Sequence, residues 1–429
     1  MQILIKNGRV IDPANNLDGT YDILIEKNKI AQVGRDLSCQ AERIIEAKNM
    51  LVVPGLVDMH VHLRQPGRED KETVLSGTQA ALKGAVTSLL AMPNTSPALD
   101  CPAHVQLLKI IIEKEAEADV FICAAITRER LGQELTDIAG LQKEGIVAIS
   151  DDGASVDDEK LLLKALKLAK ENKVLVICHC EDKALSGLGA VNLGFTSTRL
   201  GLRGISRESE YKRVARDIAL AQKIKAAVHI AHVSCRESVQ IIAQAKQEGI
   251  CVTSETAPHY FALDEEAVLN YDTNMKMNPP LRSKEDVAAI QQGLKDGTID
   301  AIASDHAPHT ESEKAIEFDR AEFGTIGLET TLAVGITELI ETGILPWPEL
   351  IRKMALNPAK ILGLPKGTLS VGADADIAIV DPQKEWVVEK EKLVSKSKNS
   401  AFLGRKLKGA ALYTICQGKI AYQNTNTHE

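Results

Sequence analysis

No apolar run in this sequence approaches the ~20 residues that a membrane-crossing helix needs. The opening MQILIKNGRV reads as a strand and carries no secretory apolar stretch. A positive excess is missing too: 59 acidic residues outnumber 51 basic ones, for a formal charge of -8. That balance argues against nucleic acid or an anionic membrane as partner. An anionic substrate would therefore have to be drawn in by a local cation. The 8 cysteines lack paired spacing, and several sit in apolar runs such as Val174–Cys178. Free, mostly buried thiols in a reducing cytoplasm are expected, not disulfides. Internal repeats and low-complexity tracts are also absent.

What remains is an ordinary globular composition, 44% hydrophobic and 26% charged over 429 residues, enough for one large domain and a smaller one. Residues 1–54 alternate in short strands, with Asn7-Gly8 suited to a tight hairpin turn. From Leu51 the pattern changes. Eight short apolar runs follow: Leu51–Val57, Ser88–Met92, Val120–Ala125, Ile146–Ile149, Val174–Cys178, Val228–Ala231, Cys251–Ser254 and Ala301–Ala303. Amphipathic segments such as Asp158–Glu171 and Ser234–Glu248 lie between them. Eight strands alternating with helices over roughly 300 residues predict an α/β chain folded as a (β/α)8 barrel, here residues 55–365. Residues 366–429 return to strands, and both ends are expected to fold together as one small β-sandwich.

The stretch around which the barrel is organised is Pro54–Gly67, PGLVDMHVHLRQPG. Side chains two apart on a strand share a face, so His60 and His62 emerge together at the strand's carboxyl end. Reacting groups of such barrels sit at those ends. Read in turn, they supply His60 and His62, Asn94, Asp151-Asp152, His179, His232, and Asp305 with His309. A single strand-end histidine is commonly structural; four at one architectural position suit a metal pair with a bridging carboxylate. Imidazole and carboxylate ligands fit zinc without excluding manganese, cobalt or iron. Strand parity leaves Asp151 and Asp152 both open as the bridge, with Asp152 preferred because it lies nearer the mouth. His229 is read as core or support, His259 as a brace of the mouth, and His104 and His428 as incidental. Cys178 and Cys180, flanking His179, are expected to face the helices.

Together with AMPNTSP, ISDDG, ICHCED, HIAHVS, TSETAPH, MNPPLR, ASDHAPH and GTLSVGADADIAIVDP, that stretch resembles the amidohydrolase superfamily, and within it the free-standing bacterial dihydroorotases. The resemblance runs nearly the whole chain. It implies reversible cyclisation of N-carbamoyl-L-aspartate to L-dihydroorotate, in pyrimidine synthesis. It also implies two zinc ions, one held by His60, His62, Asp152 and Asp305, the other by Asp152, His179 and His232. Arg64, Asn94 and His309 would grip the substrate carboxylate beside His62, while Asn278 and the backbone of Phe323-Gly324 would meet the ring. Asp305 would carry the proton. Many relatives bridge their metals with a carboxylated lysine, but Ile146–Asp152 contains none. Allantoinase or dihydropyrimidinase is the alternative, disfavoured because those substrates lack the free carboxylate. A metal-free scaffold for a transcarbamoylase is disfavoured because every expected ligand is present. A homodimer, and a complex with a transcarbamoylase, are the partner expectations. Gly187–Gly204 is read as a lid, an oligomer contact or a plain surface loop, and Phe318–Gly327 as a segment closing over the substrate.

Overall fold

A computed structural model describes residues 2–424; His428 lies outside the described residues. Eight parallel strands follow one another around a barrel: β1 (Leu56–Val61), β2 (Val86–Ala91), β3 (Asp119–Ala124), β4 (Ala148–Ile149), β5 (Leu175–Cys178), β6 (Val228–Ile230), β7 (Val252–Thr256) and β8 (Ala301–Ile302). The seam between first and last is closed by a bridge from Val61 to His306, with His62 N donating to His306 O at 2.9 Å. The helices between are amphipathic. Glu159–Glu171 begins at Asp158, whose carboxylate accepts from the amides of Lys160 and Leu161, and it buries Leu162, Ala165, Leu166 and Ala169. Met59, Leu90, Cys123, Ala148, Ile177, Ala231 and Ala301, one from almost every strand, pack together as the barrel interior, with Leu362 against them.

The predicted first strand, Leu51–Val57, is in fact two strands in two sheets. Leu51–Pro54 pairs with Arg9–Val10 and with Ile377–Val380, whereas Leu56 starts the barrel. The change of sheet occurs at Gly55, whose amide donates to Asp376 O while Leu56 N donates to Ala85 O. An added Cβ there would collide with Thr87 Oγ1 and lie 2.5 Å from its Cγ2, so the crossing needs glycine. Strands from both chain ends join in a single eight-stranded sheet, in which Ile377–Val387 pairs antiparallel with Lys406–Cys416 and with Leu51–Pro54. Its aliphatic side chains, Ile3, Ile5, Ile23, Ile25 and Ile377 among them, form their own core.

The 187–204 stretch is ordered: the short helix Lys183–Ser186 leads into it, it holds the helix Phe195–Leu200, and Val191–Asn192 pairs with Gly204–Ile205 as a two-stranded parallel ribbon. Arg282 secures it by donating to Asn192 Oδ1 at 2.9 Å and to Ile205 O at 3.0 Å. Every cysteine is free; five are buried and Cys251 is exposed. Cys180 Sγ points to Asp217 on the neighbouring helix Glu208–Ile224, on the helix side as expected.

Candidate metal centre and acid-binding pocket

The six expected ligands converge at the carboxyl end of the barrel. Asp152 Oδ1 stands 3.3 Å from His60 Nε2, 3.4 Å from His179 Nδ1 and 3.7 Å from His232 Nε2, and its Oδ2 is 3.5 Å from His62 Nε2. Asp305 Oδ1 is 3.6 Å from His60 Nε2 and 3.4 Å from His62 Nε2. Donors about 2.0–2.1 Å from one tetrahedral ion are about 3.3 Å apart, so these separations are those of a ligand shell. His232 and Asp305 both have positive φ, 36° and 48°. Such backbone costs energy in residues with a Cβ and is found where a site requires it.

Acceptors outside the cluster fix which nitrogen of three imidazoles looks inward. Glu255 Oε1 lies 2.7 Å from His60 Nδ1, Asn94 Oδ1 2.7 Å from His62 Nδ1, and Glu181 Oε2 3.4 Å from His179 Nε2. Each acceptor holds the N–H and turns the lone pair of the other nitrogen to the centre. His60 Nε2 is buried there with no hydrogen-bond partner among the described residues. His179 Nδ1 and His232 Nε2 face one another at 2.7 Å. Buried lone pairs aimed at one another among carboxylates fit a cation, and the donor set fits a zinc-like ion.

The charges agree. Burial alone would lower His60, yet the Asp152 and Asp305 carboxylates outweigh it and raise its pKa well above the usual value. Burial is likewise overridden at His179, lifted to about 9 chiefly by its bond to Asp152. Both carboxylates are held well below their ordinary range against burial, by His60 foremost. The pocket stabilises positive charge.

Asp151 is not the converging carboxylate. Its oxygens accept from Ile126 N at 2.8 Å, Thr127 N at 3.0 Å and the Thr127 hydroxyl. His229 is buried, bonding Thr253 Oγ1 at 2.8 Å and standing 3.4 Å from Glu255 Oε2, so it supports the acceptor behind His60. His259 is buried edge-on to Tyr260, and burial pushes its pKa down to about 4. His104 spends its Nδ1 on Ala98 O and Asp100, away from the centre.

Beside the ligands lies a cationic pocket. Arg64 (φ 61°) donates from Nε to Pro308 O at 3.2 Å and sets Nη2 3.4 Å from His309 Nε2. His309 Nε2 is 2.8 Å from Phe323 O. Lys314 Nζ donates to Glu322 O at 2.8 Å and Gly324 O at 3.1 Å, and Lys276 Nζ to Asp319 O at 3.0 Å. The expected closing segment is thus pinned by two lysines through its carbonyls. Asn278 Nδ2 donates to Glu181 Oε2 at 3.2 Å, which links it to His179. Arg64, His309, Phe323 and Gly324 form one group; Asn94 and Asn278 reach the centre through His62 and Glu181.

Sequence reasoning passed over Glu255, Glu181 and Lys71. Glu255 is a carboxylate near the end of β7, the same position that singled out the candidate ligands, and that rule would have found it. Glu181 and Lys71 lie in charged stretches, CHCEDK and GREDKE, where nothing local distinguishes them from surface charge.

A family model described as dihydro-orotase-like matches residues 49–238, and an amidohydrolase family model matches residues 269–422. A dihydroorotase from Elusimicrobium minutum is 50% identical over 99% of this chain and 98% of its own. One from Geotalea daltonii is 52% identical over 99% of this chain and 100% of its own. Among solved structures, an L-hydantoinase (dihydropyrimidinase) from Arthrobacter aurescens superposes with a TM-score of 0.89 at 24% identity, covering 98% of this chain and 96% of that one. The dihydropyrimidinase of Brevibacillus agri gives 0.86 at 25% identity, covering 99% and 95%.

Proposed function

The chain belongs to the dihydroorotase family of the amidohydrolases and is a cyclic amide hydrolase; we propose that it interconverts N-carbamoyl-L-aspartate and L-dihydroorotate in pyrimidine synthesis. The observation that carries this reading is the Arg64 cation, with the His309 ring set against it, beside the ligand cluster. Dihydroorotate presents a free carboxylate next to its scissile amide; hydantoins and allantoin offer none for such a pocket.

His60, His62 and Asp305 would hold one zinc ion, His179 and His232 a second, with Asp152 shared between them. When bound, such ions lower the pKa of water and polarise an amide carbonyl. The remaining work falls to the chain. Arg64 provides a planar fork for the carboxylate, and burial lowers its pKa to about 10, so it stays charged at neutral pH. His309 and Asn94 add donors. Asn278 and the backbone at Phe323-Gly324 hold the ring amide. Asp305, kept ionised by His60 and His62, takes the proton of the attacking water on a carboxylate oxygen and passes it to the departing ring nitrogen. In the cyclising direction it takes the proton from that nitrogen. Residues 55–365 constitute the hydrolase barrel in this reading, with 1–54 and 366–429 its β module. A cytoplasmic setting, a homodimer and a transcarbamoylase complex accompany it. Among the described residues no helix is long and apolar enough to cross a membrane.

The test is ring opening of dihydroorotate against hydantoin and allantoin, with zinc counted per chain. Rapid opening of dihydroorotate alone is expected; metal-loaded protein that ignores it and opens hydantoin would overturn the reading. Asp305→Asn is expected to lower turnover in both directions by about 10²–10⁴-fold with an unchanged circular dichroism spectrum.

A further inference from the structure

Lys71 lies in the loop after β1 and is 5% exposed. Its Nζ is 3.1 Å from His309 Nδ1 and 2.9 Å from Glu313 Oε1. An ammonium has only donors, so the ring nitrogen it meets must present its lone pair. The carboxylate that could compete for an Nδ1 proton, Glu313, holds its Oε2 at 3.6 Å, beyond hydrogen-bond reach. That oxygen already accepts from Thr310 N and Oγ1, both at 3.0 Å, while Oε1 accepts from Arg68 at 2.7 Å. We propose that Lys71 sets the tautomer of His309, fixing it as a neutral Nε2–H donor, and so acts as a positioning residue for the acid group of the substrate. The inference about the substrate rests on the functional reading above; the inference about the ring does not.

The surroundings fit this assignment. With the proton on Nε2, the ring donates to Phe323 O at 2.8 Å. Arg64 Nη2 then stands 3.4 Å from the same Nε2 as donor beside donor; an anionic oxygen placed there would accept from Arg64 and share the single Nε2–H with Phe323 O. Burial keeps the ring from taking a second proton, and Arg64, Lys71 and Lys314 reinforce it against the opposing Glu313, holding the pKa down to about 2. Without Lys71, Phe323 O alone holds the proton on Nε2; in the rings that carry it on Nδ1, Nε2 turns a lone pair toward the carboxylate.

The experiment uses full-length, zinc-loaded protein labelled with ¹⁵N-histidine, with the His309 ring signals identified by their loss in His309→Gln. The wild-type ring is expected as the Nε2–H tautomer, unchanged from pH 6 to 8. Lys71→Met is expected to show a tautomer mixture and a KM for dihydroorotate raised at least about tenfold, with kcat within about twofold. Lys71→Arg, still a pure donor, is expected to restore most of both. A wild-type ring protonated on Nδ1, or a Lys71→Met ring identical to wild type, would overturn the proposal, as would a fall in kcat as large as the rise in KM. If Lys71→Met does not fold, the wild-type and Lys71→Arg spectra still decide. Wild-type protein that ignores dihydroorotate would remove the functional reading and leave the tautomer to be judged by its spectrum.

Discussion

Three inward-facing lone pairs at the candidate metal centre, those of His60, His62 and His179, are set by a residue behind the ring, and Glu255 is the clearest case. It accepts from His60 at 2.7 Å and stands 3.4 Å from His229. Its pKa is lowered to about 2: burial would raise it, but the adjoining imidazoles of His229 and His60 win. As an ionised acceptor it leaves His60 one tautomer. Glu255→Gln supplies an amide that donates as well as accepts, so His60 can turn a proton inward. Supporting residues of this kind are worth about 10–100-fold in metal affinity. The expected outcome is zinc lost at correspondingly lower chelator concentration, measured by metal content after dialysis, with KM for dihydroorotate unchanged in reloaded enzyme. Equal zinc retention would show that Glu255 does not orient the ligand. The sequence was least legible at this scale. Asp151 and Asp152 are adjacent in ISDDG, and only the bonds from Ile126 and Thr127 to Asp151 decide between them.

Elements were legible where their period was strong. Each of the eight apolar runs contributes residues to a barrel strand, because short β-branched stretches separated by amphipathic helices have few other ways to bury themselves. The failure at Leu51–Val57 is instructive, since continuous apolar character persists through a point where the chain changes sheets. Hydropathy carries no record of hydrogen-bond partners; Gly55 was the available clue. The steric demand there is testable. Gly55→Ala would press a Cβ against the buried, β-branched Thr87, and overpacking of this sort costs about 1–3 kcal/mol. Urea denaturation is expected to show that loss. In the double variant with Thr87→Ala, which removes the two closest colliding atoms, part of it should return. Additive losses would place the cost elsewhere.

At the scale of the whole molecule, the candidate metal centre gathers residues 60, 62, 152, 179, 232 and 305, from strands spread around the barrel. Metal affinity is therefore stability of the entire fold: an ion at 1,000 times its dissociation constant adds about 4 kcal/mol. The apo protein has a pH dependence of opposite sign. His179 is raised to about 9 in the folded chain from an ordinary value near 6.5. Its protonated form thus contributes stability that is complete below about pH 6.5 and is lost as pH rises toward 9. Bound metal requires these rings deprotonated, so its affinity rises over the same interval. The melting temperatures of zinc-loaded and chelator-stripped protein should accordingly diverge between pH 6.5 and 9, the stripped form falling relative to the loaded one. Calorimetry of both forms across that range checks it. A constant or shrinking gap would mean that the imidazoles do not hold protons in place of metal, and that the carboxylates of Asp152 and Asp305 are balanced in some other way.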